Sequence, residues 1–106
     1  MEKKELAIIL KKHSAWINGE YGGERANLRG ADLRGAALRG ANLDYSCLPL
    51  WCGGSRFRAD MRIVRQILAH VCSIEIVEAD ESIKAAIEAI LPEAKKSHRA
   101  SDLGIM

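Results

Sequence analysis

The sequence predicts an α+β fold: a short β-type coil that turns a corner every five residues, closed off by helices at both ends. Three observations predict it. Residues 26–45 repeat with a period of five. Residues 3–18 space their apolar side chains as an amphipathic helix does, and two later stretches do the same.

The period is carried by Ala26-Asn27-Leu28-Arg29-Gly30, Ala31-Asp32-Leu33-Arg34-Gly35, Ala36-Ala37-Leu38-Arg39-Gly40 and Ala41-Asn42-Leu43-Asp44-Tyr45. It continues weakly in Ser46-Cys47-Leu48-Pro49-Leu50. A helix repeats on 3.6 residues and a strand on two, so a five-residue period suits neither. Glycine at the end of each unit would also weaken either element. A bend at each unit instead turns Ala and Leu inward and the other three positions outward. Small Ala lets neighbouring backbones approach, Leu fills the axis, and Gly permits unusual angles at the corner. The fixed leucine register argues against a flexible linker.

These A-(D/N)-L-x-x units resemble those of pentapeptide-repeat proteins over residues 24–50. The resemblance implies a right-handed quadrilateral β-solenoid. Four five-residue sides make about twenty residues per turn, so the units supply about one coil, which cannot bury its core without caps. The expected arrangement is a single domain over 1–106, with an N-terminal helix in 1–20, the coil in 24–50 and a helical cap in 51–106.

The first helix is expected from about Lys3 to Asn18, with Leu6, Ile9, Leu10, His13, Trp16 and Ile17 on one face and Gly19 as its stop. After the glycines at 53 and 54, a second helix is expected from Arg58 or Ala59 to Ser73, with Ile63, Val64, Ile67, Leu68 and Val71 on one face. Ile74-Glu75-Ile76-Val77 fits either a helix end or a short extended piece. A third helix starts at Asp80 or Glu81, and Pro92 is placed to open a separate helical turn over 92–97. Residues His98 to Met106 read as loosely held.

Composition narrows the function. With 106 residues, 48% apolar and 28% charged, the chain is one soluble domain's worth, and neither a disordered tail nor a large enzyme. No apolar run approaches the roughly 18 residues of a membrane span. The run Leu6–Leu10 is cut short by Lys11-Lys12-His13, so it does not read as an export signal. The three cysteines, an odd count, fit a reducing cytosol better than a disulfide scaffold.

No catalytic constellation stands out, and no cofactor or metal is expected. Cys47 and Cys52 lack metal-site spacing, Cys52 has no obvious local base, and His13 and His70 fall near apolar helix faces. The charges are unevenly spread. Residues 24–65 hold eight Arg against four acids, and residues 66–93 hold six acids against one Lys. Two surfaces are therefore candidate protein-binding sites: the acids Glu75, Glu78, Asp80, Glu81 and Glu88, and the arginines Arg56, Arg58, Arg62 and Arg65.

Two flanks, Trp16 to Ala26 and Leu48 to Gly54, are similar to the segments bounding the repeats in small phage and prophage pentapeptide proteins. That resemblance implies a non-enzymatic protein of a mobile element, acting in the host cytoplasm. It would bind and inhibit a host protein or ribonucleoprotein that processes nucleic acid, with a CRISPR effector the preferred partner and an anti-CRISPR role the preferred instance. Direct nucleic-acid binding through the Arg-rich surface is the first alternative. A self-assembling scaffold, with a homodimer as its simplest form, is the second.

Overall fold

The computed structural model describes residues 1–105. Helix α1, Lys3–Ile17, forms where the apolar spacing places it, and Asn18 caps it ahead of Gly19, whose φ is +70°. It buries Leu6 and His13 and leaves Trp16 partly exposed. The chain divides into two units, Met1–Ala59 and a second beginning at Asp60.

In the first unit the repeats form an array of turns. The carbonyl of each unit's leucine accepts the N–H three residues on: Ala31 to Leu28, Ala36 to Leu33, Ala41 to Leu38 and Ser46 to Leu43, at 2.8–3.0 Å. Gly35 and Gly40 hold φ of 76° and 78°, the positive value a type II turn requires at its third residue. The second position of the unit has its own task. Asn27, Asp32 and Asn42 each accept, through Oδ1, the N–H two residues on (Arg29, Arg34 and Asp44) at 3.0–3.2 Å. These Asx turns explain why that position is Asn or Asp. Leu28, Leu33 and Leu38 are fully buried and Leu43 nearly so.

The expected α+β fold with a right-handed quadrilateral β-solenoid is not what forms. Among the described residues there are three α-helices, one short 3-10 turn (Cys52–Gly54) and no β-strand or sheet. The one strand-like pairing is an isolated parallel bridge between Ala37 and Arg58. The physical reason is that the turns use the backbone groups a ladder would need. Residues 47–58 do run beside the repeats, through Leu28 N–H to Cys47 (3.3 Å), Leu33 N–H to Gly53 (2.7 Å) and Leu38 N–H to Arg58 (2.7 Å). The first two are single rungs; beside the third, the Gly35 N–H also bonds the Arg56 carbonyl (2.9 Å) and the Arg58 N–H the Ala36 carbonyl (2.6 Å), which makes the one bridge and goes no further. Gly53 permits this approach, because a Cβ there would meet the Trp51 ring and the Ala31 carbonyl.

His13 fastens α1 to the array. Its Nδ1 accepts the Ala26 N–H at 3.0 Å, and its Nε2 lies 2.7 Å from the Asp44 carbonyl oxygen. An N–H only donates and a carbonyl only accepts, so the ring is the neutral tautomer with its proton on Nε2. Trp16 stacks on His13 at 5.8 Å, Tyr45 meets Trp16 edge-on at 6.2 Å, and the Arg25 guanidinium lies over Trp16 at 5.7 Å.

In the second unit α2, Met61–Ser73, packs against α3, Glu81–Ala94. α2 begins later than expected. The backbone of Arg58 is bonded to Ala36 and Leu38, and Asp60 is the cap, accepting the Ile63 N–H at 3.0 Å. Asp80 caps α3 in the same way, through Ile83 at 2.9 Å. Pro92 does not open a separate turn; it lies inside the last turn of α3. The tail is not loosely held: successive turns bond Ala100 to Ser97 and Leu103 to Arg99, and Ala100 is fully buried. The part of that expectation falling on Met106 lies outside the described residues.

Three substitutions in the first unit have expected outcomes. His13→Phe keeps the ring's bulk but strands the Ala26 N–H and removes the bond to the Asp44 carbonyl, and should cost about 2–4 kcal/mol by chemical denaturation. Gly40→Ala should cost about 1–2 kcal/mol, because its φ is positive although the space around it is open. Gly30→Ala, with open space and no positive φ, should be nearly neutral in the same assay.

Candidate interaction surface

The candidate surface of the second unit is the connection between α2 and α3, bounded by Ile74 and Asp80. Ile74 ends α2 in extended geometry, the chain turns at Val77 and Glu78, and Asp80 starts α3. Ile74 is 62% exposed, Ile76 42% and Val77 80%. Glu75 and Glu78 are exposed between them and have no ion-pair partner among the described residues. Glu78 has a φ of 56°, a left-handed conformation that costs a side chain with a Cβ about 1–2 kcal/mol.

The predicted acids therefore separate by task. Asp80 is a helix cap whose carboxyl is held below the usual carboxylate range, first by the Ile83 N–H and then by the Ser82 hydroxyl. Glu81 pairs weakly with Lys84 at 3.4 Å. Glu75 and Glu78 carry free carboxylates on the connection, and Glu88 lies exposed further along α3.

The predicted arginines separate too. Arg65 is committed to Glu93 at 3.0 Å, and Lys96 holds the other oxygen of that carboxylate at 2.9 Å. Lys96 and then Arg65 hold Glu93 below its ordinary pKa. Arg62 is exposed on α2. Arg56 and Arg58 belong to the first unit; Arg56 has a φ of 57°, and Arg58 lines a cleft of about 430 Å³. Among the repeat arginines, Arg34 forks onto Asp32 through Nε at 2.9 Å and Nη2 at 2.7 Å. That pairing holds the Asp32 carboxyl far below the carboxylate range.

Sequence reasoning listed the acids of the connection but missed its apolar side chains. The available signal was that Ile74-Glu75-Ile76-Val77 fits no buried period, so its apolar residues had no core to join. Cys47 and Cys52 are exposed and free, and Cys72 is half-buried. Among the described residues no three His, Cys, Asp or Glu side chains gather as metal ligands, and no helix is long and apolar enough to cross a membrane.

The repeat segment decides the family likeness. Residues 24–49 match the family model for pentapeptide repeats, a model of eight copies. The match covers the four clear units together with most of the fifth, so this segment is similar to pentapeptide repeats. No curated protein and no solved structure matches the chain.

The caps give a pH dependence with a definite sign. The depressed Asp80 and Glu93 carboxyls ionise more readily folded than unfolded. Their contribution is present at neutral pH and is lost as pH falls below the unfolded carboxylate range of about 4. The melting temperature should hold steady from neutrality to about pH 5 and drop below about pH 4. Asp80→Asn, which still caps but does not titrate, should flatten that drop.

Proposed function

We propose that the protein is a non-catalytic protein-binding module that docks through the α2–α3 connection, Ile74 to Glu81. One observation carries this reading: three exposed aliphatic side chains are interspersed with two unpaired carboxylates on a turn that contains a strained residue. Exposed aliphatic groups gain free energy when a partner covers them, by about 25 cal/mol per Å². The glutamates select a basic surface and steer the encounter. The strain at Glu78 is retained at an exposed position where glycine would remove it, which supports a binding role for that side chain.

The target we propose is a host nucleic-acid-processing complex, with a CRISPR effector ribonucleoprotein preferred. Such complexes present basic channels that suit Glu75 and Glu78. The mobile-element setting rests on the likeness of the flanks at 16–26 and 48–54 to those of small phage proteins. Direct nucleic-acid binding has less support, since Arg34 and Arg65 are already paired with Asp32 and Glu93.

The test is complex formation with purified effector ribonucleoproteins of the host, by size-exclusion chromatography and interferometry. The wild-type chain should bind, and Val77→Ser with Glu78→Lys should weaken binding at least tenfold while the melting temperature stays within a few degrees. Undiminished binding by that variant would remove the connection as the docking surface. Salt-sensitive retention of bare duplex DNA, lost in Arg62→Glu, would favour the nucleic-acid alternative.

A further inference from the structure

The first unit holds a cleft of about 430 Å³, within the size range of ligand-binding clefts. Its apolar lining comes from Leu6, Ala7 and Leu10 of α1 and from Ala36 and Ala37 of the repeats. Its charged lining is wholly cationic: Lys3, Arg34 and Arg58. Arg34 is neutralised by Asp32. Lys3 and Arg58 have no ion-pair partner among the described residues. Arg58 is also well positioned, since its N–H donates to Ala36 at 2.6 Å and its carbonyl accepts from Leu38 at 2.7 Å. The backbone from which the guanidinium projects is therefore fixed.

The chemistry that fits this cleft is an aliphatic chain bearing two carboxylates. A nucleic-acid strand would satisfy Lys3 and Arg58 but offers nothing to the wall of Leu and Ala. The chain itself carries a segment of the required kind. Ile74-Glu75-Ile76-Val77-Glu78 presents three aliphatic side chains interspersed with two unpaired glutamates, and all five residues are exposed.

We propose that the cleft of one molecule receives the Ile74–Glu81 segment of a second copy of the chain. Glu75 and Glu78 lie against Lys3 and Arg58, and the aliphatic side chains lie against α1 and the third repeat. The two contacting surfaces are different, so the interface is head-to-tail: an open assembly keeps one vacant cleft at one end and one vacant segment at the other. The inference rests on the docking role proposed above for this segment. It adds that self-association and target binding compete for the same residues.

The test uses the full chain in analytical ultracentrifugation. The wild type should associate as concentration rises, and added salt should weaken that association. Arg58→Glu disables the cleft, and Glu75→Lys with Glu78→Lys disables the segment. Each variant alone should be monomeric, with association at least tenfold weaker than wild type. Mixed, the two should form a one-to-one complex that grows no further, because the first supplies a sound segment and the second a sound cleft. Circular dichroism of each variant checks the fold, and Arg58→Ala, a milder change, should give the same monomer.

A monomeric wild type at all concentrations, a variant that associates like wild type, or a mixture that stays monomeric would each overturn the inference. Effector binding separates this result from the reading it rests on. Arg58→Glu should bind the effector as well as wild type or better. If no molecule binds the effector while the mixed variants still pair, self-association stands and the proposed target falls.

Discussion

The first unit depends on one imidazole. Buried apolar side chains alone would let α1 slide over the repeats, because burial has no direction. His13 removes that freedom. It sits one turn before the end of α1 and bonds backbone groups of the first and fourth repeats, with no exposed surface of its own. Trp16 covers one face of the ring, and Tyr45 and Arg25 contact Trp16 in turn. This arrangement also accounts for the irregular fourth unit. Tyr45 stands where its neighbours have glycine and holds a φ of 65°, at a conformational cost that its contact with Trp16 offsets.

Much of the first unit was legible because the leucine register is a burial pattern. The five-residue spacing alone assigns Leu28, Leu33, Leu38 and Leu43 to a dry interior. It does not assign their surroundings. The Asx turns of Asn27, Asp32 and Asn42, and the leucine carbonyl turns that follow them, use backbone groups locally, so a five-residue unit has too few left for a paired strand. Periodicity shows which side chains face inward; it does not show where the backbone hydrogen bonds go. His13 was legible as a packed residue, but its two backbone partners lie far along the chain and leave no local trace.

The second unit shows the same division. The start of α3 could be read from Asp80, because an N-cap is a local signal. The same local signal at Asp60 marks the start of α2; why the helix does not begin earlier depends on Arg58 being bonded to residues some twenty positions before it. Pro92 is tolerated near the end of α3, where few helical bonds remain to be lost. Of the candidate acids, charge counting alone could not separate Asp80, which serves the helix, from Glu75 and Glu78, which serve no internal partner. That distinction needs hydrogen bonds, and it leaves the carboxylates of the connection as the ones available to a partner.

The two-ended bond of His13 also limits how the chain can change in length. The span between the nitrogens of an imidazole is fixed, so Ala26 and Asp44 must stay a set distance apart. Adding or removing one whole unit between them would preserve the leucine register and still pull one anchor out of reach. The ring therefore acts as a gauge: it admits one number of repeats beneath this helix, and a chain with more would need another residue, or none, at that point.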